Sequence, residues 1–339
     1  MDPLTHTLTS LTLARALQGR LPRRGTAMLL VAGVAADLDY LSLFAGPGPF
    51  LRLHRALLHS FVGSAILILA IAAAFCSWDR RRAGRLPTDL LRLRPALMVC
   101  VIGAAFHLVL DFCAGDSVQL FWPFKVNSLA WSFAANLDPW ILILCAAGLL
   151  LPLLFQLVSE EIGERKSKFV GRRGAAFALL FVAAYLGARG MLHGRAVELL
   201  LSRTYHGRTP LAAGAFPSPS SPFNWRGEVT TDNTIEETEV SLAPGGEFDP
   251  DRSLTRYKPD DSPALEAGQR AAAAKEFLRY AQVPIASVYR REEIYRFEIH
   301  DARFPNGDAS AQDVFVRVDM NSDLTIREAG FFFASSPNP

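Results

Sequence analysis

Cysteine is scarce in this 339-residue chain and confined to its front half. Cys76, Cys100, Cys113 and Cys145 all fall inside apolar runs and none lies further along, so no disulfide framework is implied. A basic segment ahead of the first apolar stretch is also missing. Asp2 stands in its place, so the N-terminus is expected to stay rather than be cleaved as a secretory signal. Glutamate is absent from residues 1–158, where eight aspartates carry the acidity beside four histidines.

What is abundant is apolar. Half of the residues are hydrophobic and the mean hydropathy is +0.18, high for a soluble enzyme with 20% charged residues. The excess sits in blocks: Thr26–Ala45, Ala56–Cys76, Pro95–Cys113, Leu137–Val158 and Gly174–Leu192, each of 19 to 22 residues. Helices of that length cross roughly 30 Å of hydrocarbon. Leu4–Leu17 is apolar but shorter, a shallow span or an interfacial helix. The expected fold is an all-α membrane domain of five to six helices over residues 1–205. A Pro/Ser-rich linker follows at 206–222, and then a small soluble α+β domain at 223–339. In the last part FNWRGEVTT, TIEETEVSL, IYRFEIHDARF and DVFVRVDMN alternate as strands do, and Pro263–Ala281 reads as helical after Ser262.

The net charge of +2 hides an asymmetry. Residues 1–226 hold 23 Lys+Arg against 12 Asp+Glu, whereas residues 227–339 hold 12 against 21. The arginines cluster between spans: four from Arg15 to Arg24, six from Arg80 to Arg94, and five Lys+Arg from Arg165 to Arg173. Alternate connections hold only Arg52 and Arg55, then Lys125. The positive-inside rule explains this pattern, so nucleic-acid binding is not expected. If Leu4–Leu17 counts as a crossing, the basic loops are cytoplasmic. Residue 1, the loops at 46–55 and 114–136 and the chain after 193 then lie outside, and Trp122, Trp131 and Trp140 gather there as interface anchors.

Asp79 and Asp89 lie in a basic loop. The other ten acidic and imidazole residues up to 158 are Asp2, His6, Asp37, Asp39, His54, His59, His107, Asp111, Asp116 and Asp138. Every one belongs to an outer loop or the outer end of a span, so the helices are expected to converge on one polar site at that face. His107 and Asp111 share a helix face, four residues apart. An Asp inside a span costs about 2.5–3.5 kcal/mol on insertion scales, a cost that a bound cation would offset. Neutral imidazole with carboxylate is the usual ligand set for zinc and similar divalent ions. The plain alternative is a helix-packing ion pair. Asp37 and Asp39, two apart, cannot both face one centre, and His54 and His59 are similarly misaligned; in each pair one member is expected behind the other. A proton- or ion-coupled transporter and a non-catalytic anchor for the C-terminal domain are competing functions. The first lacks matching polar groups in the cytoplasmic half, and the second has no need of buried His and Asp.

MDPLTHTLTS at the start, ADLDY at 36–40, HRALLHS at 54–60, HLVLD at 107–111 and FWPF at 121–124 resemble the YdjM-like inner-membrane proteins. These are described as LexA-regulated, metal-dependent hydrolases of the bacterial inner membrane. The resemblance runs to about residue 140, with SPFNWRGEV at 221–229 similar to the junction of longer members. Leu58 and Ala36 depart from the usual Thr and Pro. The order of these residues is also similar to zinc-dependent phospholipase C. That likeness implies His6, Asp37, His59, His107 and Asp111 as metal ligands for one or two divalent ions, zinc above all. Asp39 and His54 would then be acid/base or orienting groups, and a membrane phospholipid-like phosphoester the substrate. No His follows Asp111 until His193, so the third metal of the phospholipase pattern lacks its ligands. His206 and His300 read as surface residues.

Overall fold

The computed structural model describes the chain apart from residues 83–89, 116, 126–127, 162–170, 247, 303–313 and 334–339. Asp116, Asp89, and part of the second and third basic loops therefore lie outside the described residues.

Helix α1 (Pro3–Ala16) starts where a sequence signal places it: Asp2 accepts the N–H groups of Leu4 and Thr5, and Pro3 takes the first turn. At 14 residues it is shorter than a full membrane span. Among the described residues, five further segments are long and apolar enough to cross a membrane: Gly25–Ala45, Phe61–Arg82, Leu93–Cys113, Pro139–Gln156 and Arg172–Leu201. They supply α4 (Phe61–Arg82), α5 (Leu93–Cys113), α6 (Pro139–Glu161) and α7 (Arg172–Leu201) as single helices. α1 packs among α2, α5, α6 and α7. All four cysteines are buried and free.

The first long segment is not one helix. α2 (Gly25–Ala32) stops at Gly33 and the chain tightens into a 3-10 helix over Ala35–Ala45. Gly33 has a packing reason to be glycine: a Cβ there would lie 2.1 Å from Ser10 Oγ on α1. Gly103 on α5 likewise approaches Leu29 O, where a Cβ would come to 2.9 Å. The two glycines seat α2 between α1 and α5. Tightening also redirects a donor. The N–H of Asp37 bonds Val34 O at 3.0 Å rather than Gly33 O, its α-helical partner.

The second span starts later than the apolar run suggests. After α3 (Pro47–Leu53) the chain turns through His54–Ser60, with Arg55 in the left-handed region at φ +55°. Ser60 then caps α4, its Oγ accepting Gly63 N–H at 3.0 Å.

Two four-stranded antiparallel sheets follow, both in sequential order. The first holds β1 (Ala212–Pro217), β2 (Asn224–Thr230), β3 (Thr234–Ser241) and β4 (Leu254–Tyr257). The second holds β5 (Pro284–Arg291), β6 (Ile294–Asp301), β7 (Val314–Met320) and β8 (Ile326–Phe333). Helices α8 (Pro263–Arg270) and α9 (Ala272–Tyr280) pack on the second sheet. The expectation of a linker at 206–222 needs correcting. Residues 212–217 form β1, paired with β2 from Ala212↔Thr230 to Pro217↔Trp225. Pro and small residues disguise it as coil, and an edge strand tolerates them.

Each sheet is anchored to the helical domain differently. The first rests on the end of α7, where Ala196 and Leu200 share a core with Trp225, Val229 and Val240. Arg189 of α7 lies 4.0 Å over the Trp225 ring and donates to Phe133 O at 2.9 Å. The second sheet takes side chains from the helical domain into its own interior. Phe50 and Leu51 of α3 are buried among Leu265, Phe277, Phe297 and Val316. Arg52 and Glu276 of α9 form a two-point ion pair alongside, one arm being Nη2 to Oε2 at 2.9 Å.

Candidate metal centre

Seven side chains from four elements meet at one end of the bundle: His6, Asp37, Asp39, His54, His59, His107 and Asp111. All seven are at least 93% buried. α1 brings His6, the 3-10 helix brings Asp37 and Asp39, the turn after α3 brings His54 and His59, and α5 brings His107 and Asp111.

The centre is a triangle. His59 Nε2 lies 3.0 Å and His107 Nε2 lies 3.1 Å from Asp111 Oδ2. The two imidazole nitrogens are 3.1 Å apart. The i, i+4 pair on α5 thus meets as its spacing requires. Asp37 Oδ1 stands 3.8 Å from His107 Nε2. On the other side of the carboxylate, His6 Nε2 is 3.1 Å from Asp111 Oδ1, and the His6 ring stacks on His107 at 3.8 Å.

Behind the triangle, each of its two imidazoles faces a partner. His107 Nδ1 is 2.9 Å from Gly33 O, the carbonyl freed by the 3-10 turn, so its Nδ1 carries the proton and Nε2 offers a lone pair. His59 Nδ1 is 3.1 Å from Asp39 Oδ2. Asp39 also reaches His54 Nδ1 at 3.2 Å and accepts Arg55 N–H at 2.7 Å. The misaligned pairs are thereby sorted by geometry. Asp37 and His59 face the centre, while Asp39 and His54 stand behind His59. His54 is held in place by ring contacts with Phe50 and Tyr40, each at 4.5 Å between centroids.

These donors fit a divalent ion. Bonds of about 2.0–2.1 Å in tetrahedral array place ligand atoms about 3.3 Å apart, close to the triangle's edges. Asp37 Oδ2 and Asp111 Oδ2 are buried without a hydrogen bond among the described residues. For buried carboxylate oxygens that is costly, and a cation would satisfy both. Two overlapping groups have ligand-like spacing: His6 with His107 and Asp111, and Asp37 with His59 and His107.

Sequence reasoning misses Arg55, which by its position reads only as loop charge. Its guanidinium is buried, with Nη1 3.0 Å from Asp111 Oδ1, Nη2 3.0 Å from Met1 O and Nε 3.4 Å from His54 Nε2. The α-amino group of Met1 also contacts Asp111 Oδ1. Nothing in the spacing of HRALLHS separates this arginine from an exposed one; the left-handed backbone that turns it inward is set by the tertiary fold. Two other aspartates do not join the centre. Asp2 caps α1, and Asp138 caps α6 through the N–H of Trp140 while accepting Tyr185 Oη–H. His206 and His300 lie in the C-terminal domain, His206 beside Glu236 and His300 stacked on Phe315.

Comparison with known proteins rests on sequence pattern alone, for no curated protein and no solved structure matches the chain. A family model, described as YdjM inner membrane protein, matches residues 1–196, which include every residue of the centre. With five apolar helices and this match over more than half its length, the chain is an inner-membrane protein and belongs to the YdjM family.

Proposed function

We propose that this protein is a metal-dependent hydrolase whose centre lies at the outer-face end of its membrane helices. Its substrate would be a phospholipid-like phosphoester. The observation that carries the reading is the triangle of His59 Nε2, His107 Nε2 and Asp111 Oδ2, closed by ligand-like distances, with His107 aimed by Gly33 O and His59 facing Asp39. His59, His107, Asp111 and Asp37 would hold a divalent ion, zinc by the chemistry of the donor set, with His6 on the second oxygen of Asp111. Such an ion, when bound, lowers the pKa of a water molecule and offsets charge developing on a phosphoryl oxygen.

The chain's own groups supply the rest. Asp39 faces His59 Nδ1 and holds His54 through Nδ1, while His54 Nε2 accepts from Arg55 Nε, so Asp39 and His54 would orient the groups around the ion. The depth of the centre, at the outer ends of spans, suits a substrate that stays in the bilayer. The basic connections support an external C-terminal domain, because they alternate with connections poor in Lys and Arg.

Metal analysis of detergent-purified protein tests the reading. His107→Ala and Asp111→Asn should each lower zinc content, whereas His300→Ala should not; equal content in all three would remove the centre. A panel of labelled phospholipids, acyl esters and lipid-linked sugars then tests the chemistry. Cleavage confined to the last two classes would overturn the phosphoester assignment, and none in any class would overturn the hydrolase.

A further inference from the structure

The two ligand-like groups described above share His107, and that imidazole has one nitrogen to give. Nδ1 is committed to Gly33 O at 2.9 Å, so only Nε2 faces the centre. The groups His6–His107–Asp111 and Asp37–His59–His107 therefore cannot be filled together by separate ions through His107. Asp111 divides in the same way. Its Oδ2 faces His59 and His107, while Oδ1 is faced by Arg55 Nη1 at 3.0 Å, by His6 Nε2 at 3.1 Å and by the Met1 amino group.

We infer that the centre takes one divalent cation and that the Arg55 guanidinium stands where a second would bind, supplying its positive charge. This rests on the metal reading above and deepens it. A bridging carboxylate needs an ion on each oxygen, and here one oxygen already has a permanent cation. Arginine keeps its charge at any working pH, so the place is never vacated by deprotonation. Charge agrees. With the imidazoles neutral, as ligands must be, Asp37, Asp39 and Asp111 oppose Arg55 and leave two negative charges. One divalent ion cancels them, whereas a second would leave two positive charges in a buried space, where unpaired charge is costly. The Met1 amino group on Asp111 Oδ1 brings the sum to one negative, so one divalent ion leaves a single positive charge and a second would leave three. The left-handed backbone at Arg55 has a matching purpose. An uncommon conformation for a residue with a side chain, it puts the backbone N–H on Asp39 and the guanidinium on Asp111 at once.

Full-length protein saturated with Zn2+ and freed of excess should carry one ion per chain by mass spectrometry. Loaded with Mn2+, it should show the electron paramagnetic resonance of an isolated ion. A ratio of two, or a spin-coupled pair, overturns this inference and leaves the hydrolase standing; a ratio of zero overturns both. Removing the guanidinium should open the second place. In Arg55→Ala, His54 Nε2, His6 Nε2 and Asp111 Oδ1 would be left facing it, and the ratio should rise above one. Arg55→Lys, keeping the charge, should hold at one. Arg55→Gln, which keeps donors without charge, serves if the alanine variant does not fold. A ratio fixed at one in Arg55→Ala or Arg55→Gln, with metal affinity unchanged, overturns the role assigned to Arg55.

Discussion

Two aspartates sit at opposite ends of the helical domain, both almost completely buried, and they do different things. Asp79, near the end of α4, accepts from Arg24 Nε at 3.0 Å and Leu91 N–H at 2.9 Å, with Arg23 at 3.5 Å. Its oxygens meet groups that can only donate. Asp111, on α5, is met on Oδ2 by two imidazole nitrogens that approach to hydrogen-bond distance without hydrogen-bond geometry. The lesson concerns partners rather than burial. A carboxylate closed on both oxygens by permanent donors fastens two chain segments, whereas one that keeps an oxygen facing imidazole nitrogens is arranged around something else.

Substitution at the two positions should break the comparison most sharply. Asp111→Asn should abolish most metal content, while Asp79→Asn should leave the metal-to-protein ratio of the folded fraction unchanged. Asp79→Asn should instead lower the melting temperature, because an amide cannot accept from both Arg24 Nε and Leu91 N–H as the carboxylate does. If both variants lost metal alike, the distinction between fastening and ligating aspartates would be wrong.

A second test reaches the centre from outside. Gly33→Val should push α1 from α2 and displace the carbonyl that aims His107. Outer-shell losses of this kind weaken metal binding about 10–100-fold. Ser10→Gly in the same chain should restore part of it, since Ser10 Oγ is the atom struck first. Affinity measured with a competing chelator decides.

Phe50→Ala should separate the centre from its support. It removes a ring that stacks on His54 and belongs to the interior of the second sheet. Stability should fall by about 3–5 kcal/mol. In folded protein, turnover should fall more than metal content, because His54 stands behind the ligands. Loss of metal with turnover per bound ion intact would contradict that placement.

The smallest effect belongs to the C-terminal domain. Burial opposes the charge of Glu236, but hydrogen bonds from Thr255, Thr234 and Ser253 outweigh it and hold the carboxyl below its ordinary range. A depressed acid contributes its stability above its unfolded pKa, about 4.3, and loses it as pH falls through the folded value. Glu236→Gln should therefore lower the melting temperature slightly at neutral pH and flatten its decline in acid. An acid limb identical to that of the wild type would exclude this carboxyl as its source.

The helical spans, the partition of polar residues to one end and the His107–Asp111 face were legible in the sequence, because each depends on local period or on spacing within one helix. Arg55 was not. Its direction depends on a turn that Asp39 and Asp111 hold from other elements. Asp2 and Asp138 shared the right end of the bundle but cap helices there, a distinction that needs the position of the first turn. β1 was hidden because pairing with β2, not composition, makes it a strand.

The 3-10 helix has a consequence for how this sequence can change. With three residues per turn it presents three rows. Asp37, Tyr40 and Leu43 share one, the first facing His107 and the other two packed against the second sheet's core. Leu38, Leu41 and Phe44 form another, exposed by 55%, 61% and 91%. Adding or removing a single residue within Ala35–Ala45 would turn everything beyond it by about 120° and swap the rows. Length variants of this segment should therefore survive in multiples of three and fail otherwise, a grammar of insertion that an ordinary α-helix does not impose.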